Sequence, residues 1–171
     1  KAVSSFEKGL SIEPDNPVFH KELGETYLAV RELKKAREEF RAFLEKVPAD
    51  TEVRLLLAET AIELKEGQEA YDHANILLAK NKNNPSARLI KGKALLLLEK
   101  KEDALLEFKY VIELDPKNED GRFMLAFVYR ELGLNKEATE SLQRLIDTNK
   151  NHEAGHILMA EILSVRGNRD G

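Results

Sequence analysis

A repeat of 34 residues constrains the fold of this chain more than any other feature of its sequence. Full copies of one pattern occupy residues 17–50, 51–84, 85–118 and 119–152, with no insertion or deletion between them. Residues 1–16 match the second half of a copy, and residues 153–171 match the first half. A fixed period of this length indicates a solenoid, in which each repeat is a small helical unit stacked on its neighbours.

Small and bulky residues recur at fixed places within the copies, as packed helix pairs require. One small column lies in the second half of each copy, at Ala2, Ala36, Ala70, Ala104 and Ala138. A second small column lies in the first half, at Gly24, Ala58, Gly92, Ala126 and Ala160. A third column supplies most of the bulk, at Phe6, Phe40, Ala74, Phe108 and Leu142. We expect the two helices of each copy to cross at the small columns, because small side chains allow close approach.

Helix-ending signals recur with the same period. Each copy is preceded by a candidate N-cap, at Asn16, Asp50, Asn84, Asn118 and His152, and the first four are strong capping residues. Prolines are expected to end three of the second helices, at Pro14, Pro48 and Pro116. Short turns within the copies are expected at Arg31-Glu32, Glu66-Gly67, Lys100-Lys101 and Gly133-Leu134. Turns this short force neighbouring helices to be antiparallel.

The first full copy resembles the tetratricopeptide repeat in Leu23-Gly24, Tyr27, Ala36, Phe40 and Pro48. The second full copy departs most from this pattern, with Ala61, Ala74 and Lys82 in place of Tyr, Phe and Pro, and the third carries Lys91 at the Leu23 position. The resemblance implies an all-α, right-handed superhelical solenoid of antiparallel helix pairs. It would contain four full repeats and a half repeat at each end, in a single domain over residues 1–171.

Composition excludes several classes of function. A net charge of −4 and short basic clusters argue against a nucleic-acid partner. The absence of cysteine excludes disulfides and thiolate chemistry, and no apolar run is long enough for direct membrane insertion. Residues 1–3 read as the middle of a helix, so we expect a fragment of a longer array whose targeting signals lie elsewhere. A cytoplasmic or a periplasmic location fits equally well.

No motif for catalysis, a metal or another cofactor stands out. His152-Glu153-Ala154-Gly155-His156 matches the zinc-protease pattern, but the repeat places His152 at a helix cap and Gly155 weakens the helix between the two histidines. We therefore expect neither a zinc site nor an enzyme.

The resemblance also implies a concave groove lined by the first helix of each copy. The inward positions we expect to contact a partner are Lys21, Glu25, Leu28, Leu55, Glu59, Ile62, Leu89, Lys93, Leu96, Phe123, Phe127, Arg130, Ile157 and Glu161. Leu55, Leu89, Leu96, Phe123, Phe127 and Ile157 form an apolar ladder along this groove, with Phe127 as the expected anchor. Relatives that grip a carboxylate terminus need Asn where this chain has Glu25, so no such clamp is expected.

Lys91 stands at a core position, and two interpretations remain open. Its stem either reaches the surface past apolar neighbours, or its ammonium group is a buried charge beside the groove.

The sequence thus predicts a non-enzymatic scaffold that binds a segment of another protein within a multiprotein assembly. The alternative is a structural or self-associating spacer array of a larger enzyme or membrane machine. Exposed apolar residues on the terminal helices would then form a homodimer.

Overall fold

A computed structural model describes residues 2–13 and 16–167, with side chains described for residues 4–13 and 16–164. These residues form ten α-helices and no strand. The helices are α1 (Ala2–Ile12), α2 (Pro17–Ala29), α3 (Leu33–Lys46), α4 (Thr51–Glu63), α5 (Gly67–Lys80), α6 (Pro85–Leu97), α7 (Lys101–Leu114), α8 (Glu119–Glu131), α9 (Asn135–Thr148) and α10 (Glu153–Gly167). Each helix packs on the next along the chain, so the architecture is an all-α solenoid. Pro14 and residues 168–171 lie outside the described residues.

The expected N-caps begin the first helices. Asn16, Asp50, Asn84 and Asn118 each accept a hydrogen bond from a backbone N–H two or three residues further along the chain. His152 does the same with a ring nitrogen, because Nδ1 accepts from the N–H of Gly155 at 3.0 Å. The register of the repeat is therefore fixed locally at the start of every first helix.

The turns within the copies differ from expectation by one residue in two places. Gly67 and Lys101 are the first residues of α5 and α7, rather than turn residues. Each turn has three residues, and its middle residue adopts a left-handed conformation, at Arg31, Lys65, Glu99 and Gly133. The following N–H donates to a carbonyl five residues earlier, as from Lys100 to Leu95. This arrangement is a Schellman-type helix end, made here with glycine in one copy only.

Helix pairs cross at the small columns. Ala36, Ala70, Ala104 and Ala138 are fully buried. Phe40 and Phe108 are also fully buried, and each faces a glycine on the first helix of its own copy. Four clusters of buried side chains follow one another along the solenoid, and together they form its core.

A polar link ties four of the loops between copies to the next first helix. Arg54 donates to the carbonyl oxygen of Pro48, and Arg88 donates to that of Lys82. Arg122 and His156 repeat the contact at Pro116 and Lys150. In every case the acceptor lies six residues before the donor, so the four-residue loops are fastened by side chains.

Candidate functional site

The first helices of the copies lie side by side on one face of the solenoid. α4 contacts α6, α6 contacts α8, and α8 contacts α10. A cleft of 540 Å³ opens between α4, α6 and the start of α8. Its lining residues, which define the central cleft, are Glu59, Ile62, Glu63, Ser86, Leu89, Ile90, Lys93, Asn118, Glu119 and Asp120.

Four of the inward residues expected from the sequence meet in the central cleft. They are Glu59 and Ile62 from α4, and Leu89 and Lys93 from α6. The apolar part of the lining comes from Ile62, Leu89 and the nearly buried Ile90. The other ten inward residues are absent from the lining of this cleft.

Acidic groups dominate the charge of the central cleft. Glu63 is paired with Arg31 at 2.5 Å, and Glu119 accepts a hydrogen bond from the amide of Asn149 at 2.8 Å. By contrast, Glu59 and Asp120 form no hydrogen bond or ion pair with a described residue. Lys93 is the only basic residue in the lining, and it also has no ion pair within the described part of the chain.

The side chain of Glu59 is exposed on α4, but nearby protein atoms still affect the charge of its carboxyl group. Neighbouring protein atoms exclude part of the water around this carboxyl group, and this desolvation raises the pKa of Glu59 above its ordinary value. The charge of Lys93 opposes this rise, and the neighbouring Glu63 adds to it. A cation placed beside Glu59 would relieve the cost of its charge.

Inward residues towards the ends of the groove are engaged with each other. Lys21 bridges to Glu52 on the next first helix at 2.7 Å and approaches Glu25 at 3.8 Å. The hydrogen bond to Glu52 raises the pKa of Lys21. At the other end, Arg130 pairs with Glu161 at 2.9 Å. These charges cross-link successive first helices, so a partner would have to compete for them.

Most of the expected apolar ladder is partly buried against the core. Leu55 and Leu96 of the ladder pack against the buried clusters of their own region, as does the inward residue Leu28. The ring of Phe123 lies 5.6 Å from that of His152. Phe127 packs against two clusters, and the Arg130 guanidinium lies 4.9 Å from the centre of its ring. Ile157 remains 61% exposed on α10 but does not line the central cleft. Of the ladder residues, Leu89 is the one in the cleft lining.

The ammonium group of Lys91 finds a carboxylate on the second helix of its copy. Its Nζ lies 2.8 Å from Glu107, which also pairs with Arg88 at 2.8 Å. The same ammonium lies 5.7 Å from the centre of the Tyr71 ring. Glu107 is buried between the two cations, so the charge of Lys91 is neutralised between α6 and α7.

Both histidines of the zinc-protease pattern have structural contacts. Nδ1 of His152 caps α10, and Nε2 of His156 lies 2.8 Å from the carbonyl oxygen of Lys150. Within residues 2–13 and 16–167, no three His, Asp or Glu side chains are grouped to hold a metal ion. Among the described helices, none combines the length and apolar character of a membrane span.

Six residues of the cleft are absent from the set expected to contact a partner: Glu63, Ser86, Ile90, Asn118, Glu119 and Asp120. No signal in the sequence singles out Ile90, which is buried and lines the cleft. Asn118 and Glu119 lie at the start of α8 and contribute to the cleft lining from the next copy. The repeat register itself carried this signal, because the last position of one copy adjoins the first turn of the next.

The fold and the open cleft define a helical-repeat solenoid with a concave face. Two family models, both described as tetratricopeptide repeat, match residues 17–60 and 95–162. The chain belongs to the tetratricopeptide repeat family. No curated protein matches the sequence.

Solved structures share the fold at low sequence identity. YrrB, described as a TPR protein with an unusual peptide-binding site, has a TM-score of 0.78 and 21% identity over 90% of this chain and 79% of its own. MamA (41–end) from Desulfovibrio magneticus RS-1 has a TM-score of 0.80 and 15% identity, covering 88% and 85%. A thermophilic TPR protein of Thermus thermophilus has a TM-score of 0.74 and 19% identity, covering 94% and 88%. At these identities the likeness establishes the fold alone.

Proposed function

We propose that this chain is a non-enzymatic scaffold that binds a segment of another protein on its concave face. The observation that carries the proposal is the central cleft, which three successive first helices form together. Its aliphatic floor offers apolar contact, and its carboxylates offer polar contact. The mild negative charge of the chain and the acidic lining favour a protein partner over a nucleic acid. The likeness to YrrB, whose description includes a peptide-binding site, supports the same function.

Capture of partners by the immobilised chain tests this function. Leu89→Gln removes apolar contact from the cleft without changing charge, and we expect it to reduce capture of the partner about tenfold. Ile76→Gln is the matched control, because Ile76 is an exposed aliphatic residue on α5 and is absent from the cleft lining. Phe127→Gln measures how far the binding surface extends towards α8. Equal capture by Leu89→Gln and the parent chain, with thermal unfolding unchanged, contradicts the proposal.

A self-associating structural array is a second candidate, favoured by the exposed face of α10. Leu163 is 50% exposed, whereas the residues at the same register in earlier first helices, such as Tyr27 and Leu95, are buried. Ala160 is likewise exposed, although Ala126 is fully buried. A homodimer through this face would bury those side chains. Sedimentation velocity over a range of concentrations tests the idea, and Leu163→Gln should abolish the dimer. A monomer at every concentration contradicts it.

A further inference from the structure

The central cleft differs from the rest of the groove in its ion pairs between successive first helices. Ion pairs link α2 to α4 through Lys21 and Glu52, and link α8 to α10 through Arg130 and Glu161. Among the described residues, α6 forms no such pair with either α4 or α8. Two carboxylates, Glu59 and Asp120, therefore face the cleft without a partner.

The apolar and acidic parts of the cleft line the same 540 Å³ space. Leu89 and Ile62 form an aliphatic surface, and Glu59 and Asp120 come from the helices on either side of α6. A ligand with an aliphatic side chain next to a cationic one would satisfy both parts. An anionic ligand would meet Lys93 alone, with unpaired carboxylates on both flanks.

We propose that the occupant of the central cleft is a peptide segment in which a lysine or arginine adjoins an aliphatic residue. The inference rests on the proposed function and adds the chemistry of the partner. The cation is attracted by the carboxylates of Glu59 and Asp120, and the aliphatic side chain lies on Leu89 and Ile62. Lys93 is a competing positive charge, which limits the affinity and disfavours segments with several adjacent cations.

The Glu59 side chain is exposed, yet desolvation by neighbouring protein atoms raises its pKa, which is consistent with a cationic occupant. Lys93 on α6 and Glu63 on α4 influence the charge of Glu59, and Glu119 and Asp120 line the same cleft from α8. A ligand cation would compensate the excess negative charge of these carboxylates.

Decapeptides of randomised sequence, with one position fixed at a time, are a suitable probe on an array. We expect the 171-residue chain to select Lys or Arg beside Leu, Ile or Val. For the tightest peptide, Glu59→Gln and Asp120→Asn should each weaken binding about tenfold, since a charge-assisted contact is lost. Lys93→Met should strengthen binding about threefold, because a like charge is removed. Asp103→Asn, on the exposed part of α7, is the control and should change nothing.

The outcomes separate this inference from the proposed function. Binding that depends on Leu89 but selects Asp or Glu, and that weakens in Lys93→Met, overturns the cationic segment while leaving the scaffold function intact. Selection of uncharged peptides, with no response to Glu59→Gln or Asp120→Asn, does the same. If no peptide binds in a manner that depends on Leu89, and Leu89→Gln captures partners like the parent, both proposals fail.

Discussion

Phe40 of α3 lies so close to Gly24 of α2 that a β-carbon added at Gly24 would stand 2.5 Å from Cε1 of the ring. Gly92 and Phe108 repeat this relationship at the same distance in the third full copy. The other two copies have alanine on the first helix, at Ala58 and Ala126, and the smaller Ala74 and Leu142 on the second. Across the helix crossings, glycine on the first helix thus accompanies the large phenylalanine on the second, and alanine accompanies a smaller side chain.

This pairing of side-chain sizes predicts how substitutions at one crossing change stability. Gly92→Ala should lower the free energy of unfolding by about 2 kcal/mol, because the added methyl group collides with the Phe108 ring. The double variant with Phe108→Leu recreates the Ala126–Leu142 arrangement and should be more stable than the sum of the two single changes implies. Urea unfolding midpoints measure this coupling. Additive effects would show that the two residues do not share the crossing.

The left-handed turn residues offer a second test. Glu99 has φ 60° and Gly133 has φ 76° at the same turn position. Glu99→Gly should raise stability by about 1 kcal/mol, and Gly133→Ala should lower it by a similar amount, because side chains are disfavoured in this conformation. Lys100→Gly is the control, since Lys100 has φ −93° and gains nothing from glycine. Thermal unfolding of the three variants gives the comparison, and equal effects at residues 99 and 100 would refute the explanation.

The charges around Glu107 should respond unequally to substitution. Glu107→Gln leaves Arg88 and Lys91 without their shared carboxylate, and should cost about 3 kcal/mol of stability. Lys91→Leu keeps the Arg88–Glu107 pair and restores the residue type found at Leu57 and Leu125, so it should cost less than about 1 kcal/mol. Chemical unfolding of both variants measures the difference. Equal losses would mean that the Lys91 contact is as important as the carboxylate.

Acid should destabilise the solenoid through His73. Its Nδ1 accepts a hydrogen bond from Arg54 at 3.1 Å, which requires a neutral ring. Burial lowers the pKa of His73 below its ordinary value of 6.5, with further lowering from the charges of Arg54 and Arg41, and a small opposing effect of Asp72. Glu69 also faces the ring, 3.8 Å from Nε2.

The sign of this dependence follows from where the proton binds first. As the pH falls below 6.5, the unfolded chain takes up the proton before the folded chain does, so stability is lost. The contribution is complete above pH 6.5 and disappears as the pH passes through the lowered value. His73→Gln should remove this part of the pH dependence of the unfolding midpoint, and His156→Gln should leave it in place. An identical pH profile in His73→Gln and the parent chain would rule out this role.

Local features of this fold were predictable from sequence, because every copy repeats them. The caps at Asp50 and Asn84 and the small columns at the helix crossings depend on residues that are near in sequence or one helix apart. The turn residues Lys65 and Glu99 were less visible, since their left-handed conformation is usually marked by glycine.

The site was harder to predict, because its availability depends on contacts between copies. Lys21 was expected to face a partner, but it pairs with Glu52, which lies 31 residues later. Phe127 was the expected anchor, and the neighbouring Arg130 covers one face of its ring. Register identifies which residues point inward, whereas side-chain conformation across adjacent helices decides which remain free to bind. The binding role of each inward residue stays a prediction.

The links from first-helix side chains to the preceding loops have a consequence for dissecting this protein. Arg54 belongs to the second full copy, yet it holds the carbonyl oxygen of Pro48 in the first. Arg88 and Lys82 straddle the next boundary in the same way. A fragment that ends at residue 50 or 84 therefore loses one of these hydrogen bonds, although its boundary follows the sequence period. The segment that these contacts hold together therefore does not coincide with one 34-residue repeat of the sequence.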